Sequence, residues 1–342
     1  MSDASTQFPR EKRAAIFIVT AMVLALFWML MRLDFGGTEH SVPERRSIAG
    51  KAAHRIALQL APDALRRLGA DSVAATLRDA GITWVVVPVP LWSASGRRAE
   101  FSTLEWEALA EDARLMTRAG LRVLLAPLYT EATGLRPRPA HSISGAFLSS
   151  YRDLVEECAA LAARAEATGL LLDGVFGEQR VSASEWLDLI ARVRGEYDGL
   201  LEMRIGKKAT PALYTVHANG AHVDETAVMP KASSATPLHI VMDDRDIWTS
   251  SHVPWSGGEL RAAPALRRAE QLLERAAGDS RVHGVTLTGA ELLDILRAGD
   301  GRSRSLRSRI AALQTQWMTQ DLYRPPTELR QDMRTTPAES DE

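Results

Sequence analysis

From residue 54 onward one alternation repeats: a short apolar, β-branched run, then an amphipathic helical stretch closed by glycine. The strand candidates are His54–Leu60, Ile82–Val89, Leu121–Pro127, Leu170–Phe176, Leu200–Ile205, Ala221–Met229, Leu238–Asp243 and Val282–Thr288. Between them, Asp63–Ala80 stops at Gly81, Thr103–Ala119 at Gly120, Gly145–Thr168 at Gly169, and Ser184–Tyr197 shortly before Gly199. Glycine just past a helix end adopts the left-handed conformation that closes the last turn without steric cost. Ser102–Thr103–Leu104–Glu105 has the spacing of a capping box, which fixes where its helix starts.

Strands separated by helices pair in parallel, because the return path is long enough only for a crossover. Eight such units fit a closed (β/α)₈ TIM barrel, a fold of about 250 residues. An open doubly wound sheet is the alternative, and it would carry a glycine-rich phosphate loop after an early strand. Neither G-x-G-x-x-G nor G-x-x-x-x-G-K-[ST] occurs in the chain. The barrel is therefore preferred. After the eighth strand come Glu291–Ala298 and Arg304–Leu322, the latter carrying Leu306, Ile310, Leu313 and Trp317 as one helical stripe. This stripe reads as the last barrel helix, and its arginines as a solvated face.

Ahead of the barrel, Ala14 to Met31 is an uncharged run, AAIFIVTAMVLALFWMLM. It is just long enough to cross a bilayer as a helix, and no small-x-small cleavage site follows it. A single transmembrane signal anchor over 14–32 is expected. The basic cluster Arg10, Lys12 and Arg13 favours a cytoplasmic N-terminus over 1–13. The expected division is then 33–53 as linker, 54–322 as barrel and 323–342 as a polar, disordered tail. The corresponding location is a bacterial inner membrane, with the barrel in the periplasm.

The 41 basic and 43 acidic side chains nearly cancel, which excludes a nucleic-acid binder working through bulk charge. One cysteine, Cys158, excludes an internal disulfide and a multi-cysteine metal site. The histidines at 217, 222, 239 and 252 lack metal-ligand spacing, so neither metal nor cofactor is expected. His239 alternates within a strand and reads as a satisfied core histidine; Trp106 and Trp186 fall in helices and read as packing residues. No G-x-S-x-G elbow occurs.

A (β/α)₈ barrel builds its site at the C-terminal ends of its strands. That rule selects Trp92 after strand 2, Tyr129 after strand 3, Glu178 after strand 4, Arg204 after strand 5 and Asp224 after strand 6. Strand 7 leads into Asp243, Asp244 and Trp248, and strand 8 into Thr286, Thr288 and Glu291. Carboxylates at strands 4 and 7 among aromatic rings suit glycosidic chemistry. A retaining mechanism holds its proton donor and nucleophile about 5–5.5 Å apart.

The segments AGITWVVVPVPLW, AGLRVLLAPLY, FLSSYRDLVEECAALAARAEATGLLLDGVFGEQ and EWLDLIARVRGEYDGLL, in that order, resemble glycoside hydrolase family 113. The resemblance runs over about residues 54–290 and is strongest over 80–202. It implies a β-mannanase-like (β/α)₈ barrel acting on a polysaccharide or oligosaccharide, with Glu178 matching the strand-4 general acid/base. The family's strand-7 glutamate has no counterpart: TPLHIVMDDRDIW places Met242 or Asp243 there. The histidine that often follows strand 3 is replaced by Tyr129. Two readings therefore stand. One is a non-catalytic or weakly catalytic glycan-binding subunit of an envelope or exopolysaccharide assembly, with envelope proteins as partners. The other is an active retaining endo-glycosidase using Glu178 and Asp243, with Trp92, Tyr129, Arg204, Asp224, Asp244 and Trp248 binding substrate.

Overall fold

The computed structural model describes residues 54–61, 64–92, 100–131, 134–137, 145–173, 183–205, 220–224, 237–242 and 258–322. Among the described residues nine strands form one sheet: β1 (Arg55–Gln59), β2 (Trp84–Trp92), β3 (Arg122–Glu131), β4 (Gly134–Pro137), β5 (Gly169–Asp173), β6 (Leu200–Ile205), β7 (Gly220–Asp224), β8 (Leu238–Val241) and β9 (Val282–Thr288). Eight of them run parallel in the cyclic order β1-β2-β3-β5-β6-β7-β8-β9, and β9 pairs back onto β1. The sheet is a closed barrel. The ninth strand, β4, folds antiparallel onto the end of β3 through Thr130↔Pro137 and Glu131↔Gly134. That hairpin lies above the barrel wall and was not foreseen, because GLRP has neither alternation nor a β-branched residue.

The described helices are α1 (Ala64–Leu68), α2 (Ala70–Asp79), α3 (Thr103–Arg118), α4 (Gly145–Arg164), α5 (Ala183–Glu196), α6 (Gly258–Gly278), α7 (Ala290–Ala298) and α8 (Gly301–Leu322). The expected helix over 63–80 is divided in two at Gly69, whose φ of +76° no helix interior accepts. At the start of α3 the capping box is present in full: the Ser102 hydroxyl accepts from Glu105 N–H at 3.3 Å, and Glu105 accepts from Ser102 N–H at 2.8 Å. Gly81 and Gly120 adopt positive φ directly after α2 and α3, where the sequence placed helix ends.

Two apolar layers follow from strand alternation. Outward-facing Ile56, Leu58, Val85, Val87, Val123, Leu125, Leu170 and Leu172 pack beneath the helices in one continuous core. Ala57, Trp84, Val86, Leu124, Ala126, Leu128 and Leu171 form a separate cluster inside the barrel. Cys158 is completely buried on α4, and Trp186 on α5 lies in the outer core, both as expected; Trp106 is only partly buried.

The stripe on α8 is buried as Leu306, Ile310, Leu313 and Trp317. Its polar residues tie it to neighbouring elements on both sides. Arg307 donates to Asp79 O at 2.8 Å and Gln314 to Gly81 O at 2.6 Å, while Arg309 pairs with Glu270 and Glu274 on α6. The helix is thus a member of the outer ring, and Arg302, Arg307 and Arg309 are engaged rather than merely solvated. Among the described residues no helix is long and apolar enough to cross a membrane; the segment expected as anchor, 14–32, lies outside them, as do 33–53 and 323–342.

Truncating a large buried aromatic side chain costs about 3–5 kcal/mol. We expect Trp317→Ala to lower the unfolding free energy by roughly that amount in urea titration. An unchanged midpoint would show that α8 is not part of the cooperative unit.

Candidate functional site: a bridged barrel bore and a polar mouth

Barrel interiors of this architecture are ordinarily filled by branched apolar residues. Here only one half is. The apolar cluster comes from β1, β2, β3 and β5, although β5 ends on the buried Asp173, whereas β6 to β9 contribute Glu202, His222, His239, Thr286 and Thr288, all buried. Arg55, the first residue of β1, joins the two halves. Strand β1 is first in the ring and β6 fifth, so Arg55 and Glu202 face each other across the full bore.

The guanidinium engages both carboxylate oxygens of Glu202: Nη1 donates to Oε1 at 2.7 Å, and Nη2 donates to Oε2. Both side chains are almost wholly buried, 5% and 3% exposed. The Trp84 ring lies 4.3 Å from the Arg55 guanidinium, and Arg122 stands 5.3 Å from that ring, so the indole face carries part of the cationic charge.

His222, on β7, lies 2.6 Å from Glu202 Oε2 through Nε2. A contact that short to a carboxylate oxygen requires the proton on Nε2. The 3.1 Å approach of Arg55 Nη2 to the same nitrogen is then a donor–donor proximity and not a second hydrogen bond. Nδ1 is left as a buried acceptor, and it has no partner among the described residues.

His239 packs beside His222 with ring centroids 5.0 Å apart, and its Nδ1 is likewise unpartnered. It is a core histidine as expected, but not a fully satisfied one. Its ring takes the space that a side chain on the adjacent strand would need: a methyl group at Gly284 would overlap His239 Nδ1. Small residues on β7 and β9 thus make room for large polar ones on β6 and β8.

Burial raises the Glu202 carboxyl, but Arg55 and the hydrogen bond from His222 outweigh it and hold the group well below the usual carboxylate range. Burial pushes both imidazoles down, with the Arg55 charge adding to the effect at His239 and the Glu202 hydrogen bond opposing it at His222. The bore therefore holds one ion pair and two neutral imidazoles at neutral pH. Among the described residues no group of three or more His, Cys, Asp or Glu is arranged to hold a metal ion.

Above this bridge the strand ends form the mouth. Gln59 and Thr288 are cross-strand partners on β1 and β9, and Asp173 and Arg204 are partners on β5 and β6. Gln59, Asp173 and Thr288 are buried; Arg204 is half-buried, and its Nε has no partner among the described residues. The wall between β3 and β5 is held in an unusual way. Their ladder stops at Leu125↔Leu170. Beyond it the buried Tyr151 hydroxyl, from α4, accepts from Asp173 N–H at 2.7 Å and donates to Pro127 O at 3.2 Å. One side-chain hydroxyl thus bridges the strand 3 and strand 4 ends on the functional face.

No family model matches the sequence, and no curated protein matches it. Solved structures do. A GH113 β-1,4-mannanase superposes with a TM-score of 0.51 at 15% identity, covering 76% of this chain and 99% of the mannanase. The GH113 β-mannanase of Alicyclobacillus acidocaldarius superposes with a TM-score of 0.52 at 14% identity, covering 76% and 98% respectively. The fold is GH113-like. At these identities the likeness concerns the fold and not the reaction.

The GH113-like barrel places the sequence candidates unevenly. Trp92 ends β2, Tyr129 lies in β3, Arg204 is the penultimate residue of β6 and Asp224 ends β7, all at C-terminal strand ends. Glu178, Asp243, Asp244 and Trp248 lie outside the described residues. Met242, the alternative occupant of the strand-7 position, is buried in the layer between barrel and helices. Sequence reasoning missed the Arg55–Glu202–His222 group, whose ion-paired partners are 147 residues apart, and the bridging role of Tyr151.

Removing one partner of a buried ion pair costs about 3–5 kcal/mol, because the other charge is left uncompensated. Glu202→Gln should destabilise the protein by about that much in urea titration, with much of the loss recovered in Arg55→Met/Glu202→Leu. The pH dependence has a definite sign. The unfolded chain takes up protons on both imidazoles below about 6.5, while the folded barrel resists them, so stability falls as pH drops through that value. Glu202 adds to the fall below about 4.5. Unfolding titrations at pH 8, 6.5 and 5 check this; a flat profile would show that the histidines protonate freely in the folded barrel.

Proposed function

We propose that the protein is a membrane-anchored, GH113-like barrel that binds glycan in its mouth, as a non-catalytic or weakly catalytic subunit of an envelope or exopolysaccharide assembly. The observation that carries this reading is the end of the seventh barrel strand. A retaining mechanism needs a second carboxylate there, opposite the acid/base. In this chain β8 runs out at Val241, the next residue is the core-facing Met242, and no glutamate occurs between Leu238 and Trp248. A net charge of −2 is compatible with a neutral polysaccharide. The uncharged segment 14–31 supports the anchor, and the basic residues ahead of it support a periplasmic barrel.

The second reading, a retaining endo-glycosidase, is favoured by Glu178. It follows five residues after the end of β5, the fourth barrel strand, where the GH113 resemblance expects the acid/base. Asp243 would then serve as nucleophile, its side chain one methylene shorter than glutamate.

Because the neighbours of like fold are β-1,4-mannanases, β-1,4-manno-oligosaccharides are the first ligands to test. Full-length protein in detergent should bind them, or a related neutral oligosaccharide, without releasing new reducing ends. Glu178→Gln should leave that binding within about twofold. Turnover that disappears in Glu178→Gln would decide for the endo-glycosidase, and absence of binding to any neutral glycan would overturn both readings.

A further inference from the structure

A second set of polar groups sits at the end of the eighth barrel strand, across the ring from the fourth. Thr288, the last residue of β9, is only 2% exposed, and its hydroxyl makes no hydrogen bond among the described residues. Its cross-strand partner is Gln59, the last residue of β1, also buried. Three residues after Thr288, Glu291 stands in the first turn of α7 with one carboxylate oxygen, Oε2, buried and equally unpartnered.

A carboxylate in that position ordinarily caps its own helix, yet α7 has no side-chain cap: its N-cap residue is Gly289. At φ +135° and ψ +135°, Gly289 occupies backbone space that other residues rarely enter. Residue 289 itself therefore adds no side chain over Glu291; a Cβ there would stand 3.4 Å from its Oε2 and 3.9 Å from Met242 Cε.

Buried polar groups in folded proteins are nearly always paired, so two orphans at consecutive turns of one strand–helix junction call for an occupant. The chemistry restricts which. An uncompensated carboxylate at the helix start repels a phosphate or another carboxylate. It accepts from hydroxyls, as does Thr288, while the Gln59 amide can both donate and accept. Adjacent hydroxyls of one sugar ring offer that combination, each being donor and acceptor at once.

We propose that Thr288, Glu291 and Gln59 form a subsite for the vicinal hydroxyls of one neutral sugar unit. This subsite rests on the glycan-binding reading and deepens it. It places the gripping contacts on Thr288, Gln59 and Glu291 at the strand-8 junction, so the barrel would hold a glycan by groups other than the carboxylates proposed for cleavage. The empty-handed hydroxyl is then a stability cost retained for binding.

The test uses full-length protein in detergent, with β-1,4-mannopentaose, cellopentaose and xylopentaose as calorimetric probes. Thr288→Val keeps the branched shape and removes the hydroxyl; Glu291→Gln keeps the shape and removes the charge. Each should weaken the best-bound probe about tenfold, the effect of one lost hydrogen bond. Thr288→Val should melt at or above the wild-type temperature, because it removes an unpaired buried hydroxyl, and Thr288→Ser should restore affinity. If wild type binds and both variants match it, or if Thr288→Val melts lower in step with its lost affinity, the subsite alone is overturned. If wild type binds none of the probes, the subsite and the glycan reading fall together.

Discussion

The ion pair between Arg55 and Glu202 crosses the barrel from wall to wall, and the interior arranges itself around it. A buried charge is tolerated only when paired and fully hydrogen-bonded, which limits what its neighbours can be. Trp84 offers a π face to the guanidinium, His222 a single proton to the carboxylate, and Gly220 and Gly284 the room that both need. Of these residues only Trp84 also belongs to the apolar cluster. Each is explained by a cation and an anion that must meet in the middle of a sheet.

The same bridge determines where function can lie. It closes the bore from one wall to the other, together with the apolar cluster on β2, β3 and β5. Above it lies the face bounded by Gln59, Asp173, Arg204 and Thr288 at their strand ends. That face is asymmetric: its polar groups come from β1, β5, β6 and β9, and its apolar wall from β2 and β3. A polyhydroxylated ring, with polar edges and apolar faces, matches such a division better than a uniformly charged ligand does. Tyr151 makes the opening possible by tying the ends of β3 and β5 where their ladder has stopped. The strands can part there without leaving Asp173 N–H unsatisfied.

Much of the barrel was legible because its signals are local. Apolar runs marked all eight barrel strands, and glycines at 81 and 120 marked helix ends that the backbone confirms with positive φ. The capping box at Ser102 needed only four residues to recognise. Where one helix was expected over 63–80, a single residue divides it: the left-handed backbone of Gly69 ends one helix and begins another. The ionic bridge was illegible for a different reason. Arg55 and Glu202 each stand inside an apolar strand, where either could be an edge residue facing water; only closure of the sheet brings them together. His239 was recognised as a core residue, yet its orphan nitrogen follows from the crowding at Gly284 and not from its own strand.

This difference in range also explains why the site is harder to read than the fold. The outer layer, where helices cover the strands, is specified by period-two and period-3.6 patterns that survive extensive substitution. The fold as a whole superposes on a β-1,4-mannanase at 15% identity. Chemistry at the mouth depends on individual side chains instead, and there the chain departs from its neighbours' pattern in one direction. At the end of strand 7 Met242, one of the two residues that could stand in the nucleophile's place, serves the outer core. The strand-8 junction carries two buried polar atoms, Thr288 Oγ1 and Glu291 Oε2, without a partner among the described residues. Packing thus claims Met242 at strand 7 while hydrogen-bonding capacity is left at strand 8, and it is on that asymmetry that the proposed glycan-holding reading rests.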